Sequence, residues 1–197
     1  MTIADRSIPN VKVLMILPRK EFSKEKPLKE GYSYTPYTDS MHDDWCMLQS
    51  KTGVFETYDE AEKNLDEMLR RNREIFEKQF VFVVDSENKL VGSCGLWYGN
   101  HFGMERIRLH DVAVSPNHQH QGIATAMISK CARMYDEIRS KYPLYVATQA
   151  PSYGAIALYS RLGFTPYLGE YTKHTKEKSE KDWKFVTEVL KEKAGKR

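Results

Sequence analysis

Residues 109–138 read LHDVAVSPNHQHQGIATAMISKCARMYDEI, and the reading of the fold turns on this stretch. The run from Ile107 to Val114 is apolar, alternating and rich in valine, which predicts a strand. Ser115, Pro116 and Asn117 close it, because proline cannot donate to a ladder and favours a turn. Beyond the turn, Ala124, Met127, Ile128, Cys131, Met134, Tyr135 and Ile138 recur at three- and four-residue spacing. They form the apolar stripe of a helix. The stretch is therefore a strand, a tight turn and a helix entered through small residues. The first turn of a helix holds backbone N–H groups without intrahelical acceptors, at the positive end of the dipole. Gly122 has no side chain and Ala124 almost none, so a phosphate or pyrophosphate can approach those amides. Each charge–dipole contact is worth about 0.3–1 kcal/mol when exposed and up to about 2 kcal/mol when partly buried. Two familiar phosphate loops do not fit. The dinucleotide fingerprint needs G-x-G-x-x-G, and only Gly122 is present. A P-loop needs Gly-Lys-Ser/Thr, and Ile123, Ala124 and Thr125 follow the glycine instead.

The pattern that fits is Gln119-x-x-Gly122-x-Ala124 after a strand ending in Ala113 and Val114. It resembles the acyl-CoA pyrophosphate loop of the GNAT superfamily of N-acyltransferases. A second motif follows at the distance that family expects. Leu144 to Thr148 reads as a short apolar strand, and Ser152 is placed to cap the helix after it. Ala155, Ile156, Leu158, Tyr159 and Leu162 suit a short buried helix, with Gly163 at C′ and Phe164 packing back. This run resembles the family's A-I-x-L-Y-x-x-x-G-F signature. Together the resemblance covers roughly Gly31 to Leu168 and implies a mixed α/β fold, a central sheet flanked by helices on both faces.

At 197 residues the chain is most simply one domain, with a core at about 31–168. Hydrophobic residues make up 41% and charged residues 29%, as in an ordinary globular protein. Val11 to Leu17 is too short to span a bilayer and lacks a signal-peptide context, so no membrane association is expected. It reads as a strand outside the minimal core. Cys46, Cys94 and Cys131 are odd in number and widely spaced, which argues for a reducing, cytoplasmic compartment without disulfides. No C-x-x-C pair points to zinc. Pro18 to Glu30, with Lys24, Lys26 and Lys29, reads as a solvated connector. Gly31 to Thr38 reads as the first core strand, with Pro36 at its edge or end.

Met41 to Ser50 reads as a short helix. Thr57 caps a long one, with Glu60 completing a capping box. Tyr58, Ala61, Leu65, Met68, Leu69, Ile75 and Phe76 form its buried stripe. Gln79 to Val84 suits a strand buried on both faces. Leu90 to Tyr98 is its hairpin partner, and Gly92 and Gly95 within it suggest a bulge or a close approach. The order is strand, two helices, three strands, helix, strand, helix, strand. After a short strand at Thr165 to Leu168, residues 173–197 carry nine Lys/Arg against five Asp/Glu, so the remainder of the +3 chain is slightly acidic. Trp183, Val186, Val189 and Leu190 give a basic amphipathic helix over 178–193 that docks on the body. Its acids are interleaved and no aromatic pattern accompanies it, which favours a solvated face over a nucleic-acid interface. The family's usual final hairpin strand is not evident.

The resemblance implies acyl transfer from acetyl-CoA to a primary amine, with no metal. An alkylamine with a pKa near 10.4 is about one-thousandth neutral at pH 7, so a base or water chain must take its proton. The resemblance aligns Tyr159 with the general acid that protonates the leaving thiolate. It places the backbone of Val112, Ala113 and Val114 beside the thioester and pantetheine. Gln119, Gln121, Gly122, Ile123, Ala124 and Thr125 would hold the pyrophosphate. Ser152 stands where many members have an Asn on the CoA arm. Two base positions used elsewhere in the family are Ala147 and Arg108 here, so neither serves. Leu109 to Val114 instead resembles the central strand of serotonin N-acetyltransferase, L-H-x-L-A-V, whose His helps relay the proton. His110 is then either a base, with a reference pKa near 6.5, or a strand histidine satisfied by hydrogen bonds. Strand alternation puts Asp111 on the opposite face from His110. His118 and His120 lack a third ligand and are expected to be exposed. In the family the two early helices flank the acceptor cleft, which makes Trp45, Glu56 and Tyr58 candidates for substrate contact. For Trp45 and Tyr58 the alternative is a core role. The acceptor could be a small molecule, a peptide or a protein, and a homodimer stays open. A non-catalytic acyl-CoA-binding module is the alternative reading.

Overall fold

The computed structural model describes residues 4–18 and 25–195, so Lys24 in the expected connector lies outside the described residues. Among the described residues seven strands, β1 (Lys12–Leu17), β2 (Tyr32–Thr35), β3 (Phe80–Asp85), β4 (Leu90–Gly99), β5 (Arg106–Val114), β6 (Leu144–Gln149) and β7 (Thr165–Pro166), form a mixed sheet in the order β2-β3-β4-β5-β6-β1-β7, flanked by helices. The chain divides into two compact units. Of the described residues, one holds 25–97 and 109–140, and the other holds 4–18, 98–108 and 141–195. No helix among the described residues is long and apolar enough to cross a membrane.

In the first unit, β2 (Tyr32–Thr35) pairs antiparallel with β3 (Phe80–Asp85), and β3 pairs antiparallel with β4 (Leu90–Gly99). The strand β5 (Arg106–Val114) contributes its C-terminal part to this unit. Both expectations for the β4 glycines hold. The β3–β4 register shifts between Val83 and Val84. A Cβ on Gly92 would sit 3.0 Å from Ile123, and one on Gly95 would run into the Phe80 ring that crosses it. Phe76, Phe80, Phe82, Tyr37 and Trp97 form an aromatic cluster around that crossing.

The helix α1 (His42–Lys51) packs on α2 (Tyr58–Gln79), and α3 (Ile123–Glu137) packs on β3. Thr57 Oγ1 accepts the Glu60 N–H at 3.2 Å, as the capping box predicts. The return bond differs, because Glu60 Oε2 accepts the N–H of Glu56 rather than that of Thr57. The long helix is not continuous. Asn72 leaves the helical region (φ −165°, ψ 87°), and its Oδ1 accepts the Ile75 N–H at 3.0 Å, capping a second segment. All three cysteines are buried and free, and the Cys94 and Cys131 sulfurs lie 3.4 Å apart.

In the second unit, β1 (Lys12–Leu17) pairs antiparallel with β6 (Leu144–Gln149) along its whole length and with β7 (Thr165–Pro166) on its other side. The strand expected over Val11 to Leu17 is present as β1. Val13, Leu14 and Met15 are fully buried, and the N-terminal strand fills the place beside β6 for which no later strand was evident. The helix α4 (Tyr153–Arg161) follows β6, and α5 (Lys176–Ala194) packs on α4 and β1 through Trp183, Val186 and Val189, as its amphipathic pattern predicts. Lys193 anchors the end of α5 to Asp5 at 2.8 Å. In the turn before β5, His101 Nδ1 lies 3.2 Å from the Tyr145 hydroxyl.

Candidate active site

Pro116–His118 form a single 3-10 turn after β5, as the proline requires. The chain then passes through two left-handed residues, His120 (φ 62°) and Gly122 (φ 83°), before entering α3. Gly122 is the N-cap of α3, and no side chain caps the helix. Its first internal bond runs from the Ala126 N–H to the Gly122 carbonyl at 3.0 Å, so Ile123, Ala124 and Thr125 precede the ladder. A Cβ on Gly122 would meet nothing within 4 Å. The glycine is therefore favoured by its backbone angle and not by crowding around it.

Gln119 plays a different part from its neighbours. Its N–H donates to the Pro116 carbonyl at 3.4 Å and its side-chain amide to the Val114 carbonyl at 3.1 Å. Both groups brace the loop from within. Gln121 is half-buried, and its Oε1 accepts from Lys29 Nζ at 3.2 Å. Sequence reasoning missed Lys29 as a neighbour of this loop. The two positions are 92 residues apart, and no local signal links them. His118 is not exposed as expected. Its Nδ1 lies 3.1 Å from the Tyr32 hydroxyl and its Nε2 lies 3.9 Å from Asp85. Among the described residues no group of three or more His, Cys, Asp or Glu is placed to hold a metal ion.

Val112, Ala113 and Val114 are buried at the end of β5, and the Ser115 N–H ties that end to the Val91 carbonyl at 2.8 Å. His110 is buried before them, its ring edge-on to Phe80 at 6.4 Å. Asp111 departs from the alternation expected of a strand. Its φ is +47°, and its Oδ1 lies 3.2 Å from His110 Nδ1, so the two side chains share one place. Asn64 Nδ2 of α2 donates to Asp111 Oδ2 at 3.1 Å. Gln49 Nε2 of α1 donates to the Asp111 carbonyl at 3.1 Å and to Ser93 Oγ at 2.9 Å.

Trp45 is fully buried, its ring 6.3 Å from Phe55, which is the core role of the two weighed for it. Glu56 is exposed ahead of α2. Tyr58 is half-buried, and its hydroxyl donates to Asp43 at 2.9 Å. That bond and the burial of the ring hold the phenol in its neutral form.

In the second unit, Tyr159 is buried on α4 and packs against Phe164 at 5.7 Å. The helix closes as its sequence predicts. Gly163 takes φ 94°, its N–H donates to the Ser160 carbonyl at 3.1 Å, and the Phe164 N–H donates to the Tyr159 carbonyl at 3.0 Å. Ser152 stands at the N-cap position, but its hydroxyl accepts no cap bond, contrary to expectation. Ser152 ends the preceding Ala150–Ser152 turn and is half-buried.

The fold has counterparts among known proteins. A GCN5-related N-acetyltransferase from Sphaerobacter thermophilus superposes with a TM-score of 0.56 at 19% identity, over 80% of this chain and 49% of that one. A tandem GNAT protein from the clavulanic acid biosynthesis pathway gives 0.54 at 15% identity, over 83% of this chain and 52% of that one. The glucosamine N-acetyltransferase region of a fungal multi-domain GH3 β-N-acetylglucosaminidase gives 0.53 at 12% identity, over 80% of this chain and 20% of that one. The chain thus spans about half the length of the first two. At these identities the likeness is one of fold. No curated protein matches the sequence significantly. The model of the Acetyltransferase (GNAT) family matches residues 38–164, a span that runs from the turn before α1 through both motifs to Phe164. The chain belongs to the GNAT family of acetyltransferases.

Proposed function

We propose that the protein transfers the acetyl group of acetyl-CoA directly to a primary amine of a small molecule, peptide or protein. The observation that carries this reading is the start of α3. A left-handed glycine opens the helix, no side chain caps it, and no side-chain volume stands over Gly122. Such a start suits a pyrophosphate, whose charge the free amides of Ile123, Ala124 and Thr125 and the helix dipole would stabilise. The cation of Lys29, beside Gln121, adds to the attraction.

Acetyl-CoA supplies the activated thioester. The backbone of Val112, Ala113 and Val114 lines its pantetheine arm in this reading. His110 takes the proton of the incoming ammonium, directly or through water, and Tyr159 protonates the departing thiolate. Supporting the assignment of Tyr159 is its fixed setting on α4, where its carbonyl is held by Phe164 and its ring is buried. Supporting His110 is the carboxylate beside its Nδ1. Ser152 and Gln121 contact the CoA arm and phosphates. Glu56, exposed ahead of α2, meets the acceptor, whereas the burial of Trp45 gives that residue an indirect part in shaping the same region.

The test is turnover of acetyl-CoA, read as free thiol, against a panel of polyamines, amino acids, aminoglycosides and peptides. Tyr159→Phe and His110→Gln should each lower kcat by about 10²–10⁴-fold while acetyl-CoA still binds. Binding of acetyl-CoA with no turnover on any amine would replace the enzyme by a non-catalytic acyl-CoA-binding module. No binding at all would overturn the reading.

A further inference from the structure

We propose that residues 25–32 form a strap along the acyl-CoA loop, in which Lys29 supplies a cation to a phosphate of acyl-CoA and Tyr32 is a positioning residue that acts through His118. This inference rests on the reading of the start of α3 as the pyrophosphate site. Up to Glu30 the segment reads from sequence as a solvated connector, but its contacts run in order along one surface. Lys130 Nζ donates to Glu25 Oε1 at 3.4 Å, and the Lys26 N–H donates to Ser129 Oγ at 2.8 Å. Lys29 Nζ donates to Gln121 Oε1 at 3.2 Å, and the Tyr32 hydroxyl shares a hydrogen bond of 3.1 Å with His118 Nδ1. As the chain advances from 25 to 32, its partners step back from 130 to 118. The segment therefore lies antiparallel to α3, from the second turn of that helix to the turn that precedes the loop.

Both ends of the strap are fastened. The Ser129 side chain is fully buried, and its hydroxyl donates to the Ala126 carbonyl at 2.8 Å while accepting from Lys26. A buried hydroxyl that uses both its donor and its acceptor ties the strap to the helix. At the other end the Tyr32 and His118 rings meet edge-on at 5.8 Å. Asp85, the partner of Tyr32 across the β2–β3 ladder, places Oδ2 3.9 Å from His118 Nε2. His118 directly precedes Gln119, whose side chain braces the loop on the Val114 carbonyl. A displacement of His118 is thus passed to the residues that lead to Gly122.

Two lysines take part, and they differ in what they face. Lys130 pairs with the Glu25 carboxylate and stands 4.9 Å from the Tyr34 ring centre. Lys29 faces a neutral amide oxygen, and among the described residues it has no carboxylate within ion-pair distance. A phosphate oxygen is the stronger acceptor for an ammonium, because both partners are then charged. Lys29 therefore leaves Gln121 for a phosphate that arrives at the first turn of α3. Lysine only donates, so it occupies the oxygen of Gln121 and leaves that amide's N–H donors for the same ligand. The strap thus acts on the loop by charge at Lys29 and by shape at Tyr32.

The experiment is calorimetric titration of acetyl-CoA into the full-length protein at about 0.1 M and about 1 M salt, between which the screening length falls from about 10 Å to about 3 Å. Lys29→Gln should weaken binding by about 3–10-fold at the lower salt and by less than about twofold at the higher, because its part is a screened charge on an exposed side chain. Lys29→Arg keeps the charge and should restore both the affinity and its salt dependence. Tyr32→Phe removes one hydroxyl and no charge. It should weaken binding by about 2–10-fold at both salt concentrations, and shift the amide resonances of Gln119, Gln121 and Gly122 in the free protein. Wild-type affinity in either Lys29→Gln or Tyr32→Phe would overturn the proposal, as would a loss in Lys29→Gln that persists at high salt. Failure of the wider reading looks different. A wild-type protein that binds no acetyl-CoA overturns the pyrophosphate site and the strap together, whereas wild-type binding with both variants unaffected overturns the strap alone.

Discussion

Replacing Gly122 tests whether the loop before α3 depends on a backbone angle or on empty space. The residue sits at φ 83°, and a Cβ there would meet nothing within 4 Å. An alanine therefore adds no clash in the free protein. Its cost is that of holding an L-residue in the left-handed region, about 1–2 kcal/mol. For a chain of this size each kcal/mol corresponds to roughly 2–4 °C in Tm, so Gly122→Ala should lower the midpoint by about 2–8 °C. Gly122→Asn is the informative partner. Asparagine is larger than alanine but enters the left-handed region far more readily. If conformation governs, the asparagine variant is the more stable of the two by thermal or urea unfolding. If room governs, the order reverses. A reversed order, or an alanine variant as stable as wild type, would refute the claim that the positive φ shapes the loop. Titration with acetyl-CoA on the same two proteins then reads the ligand's own demand for space.

Three further outcomes follow from the packing and the charges. Gly95→Ala should cost about 1–3 kcal/mol by denaturant unfolding, because its methyl would enter the Phe80 ring; a neutral effect would show that the crossing is loose. Thr57→Ala should cost about 1 kcal/mol through the lost Glu60 cap, while Thr57→Ser should retain most of it. Burial, aided by the charges of Arg108 and Lys12, pushes the His101 imidazole down to about 4 from an ordinary 6.5. As pH falls from about 6.5 toward 4, the unfolded chain takes up a proton that the folded chain refuses. The stability held in full above about 6.5 is lost through that window. Urea unfolding at several pH values should show a shallower slope there for His101→Gln, and an unchanged slope would contradict the assignment.

The features legible in the sequence are those set by local chemistry. The Gly163 turn after α4, the Thr57 cap and the strand–turn–helix at 106–137 all depend on residues within a few positions of one another. The misreadings arise where distant contacts override a local rule. Alternation fails at Asp111 because α1 and α2 hold a left-handed residue in the strand. The periodic pattern of α2 hides the break at Asn72, since an exposed asparagine interrupts no apolar stripe. The pairing of β1 with β6 rests on a register formed across most of the chain, which its own six residues cannot encode. The neighbourhood of Lys29 and Gln121 has the same origin. At the candidate site, the loop was readable because a helix start has the same needs everywhere. The carboxylate beside His110 was not, because it exists only once the strand is distorted.

The central claim is that acetyl-CoA rests its pyrophosphate on the first turn of α3. The most direct test is titration of acetyl-CoA into 15N-labelled protein, followed by amide NMR. The account predicts saturable shifts that are largest at Gln121, Gly122, Ile123, Ala124 and Thr125. Absence of binding, or saturation with those five amides unmoved, would contradict it.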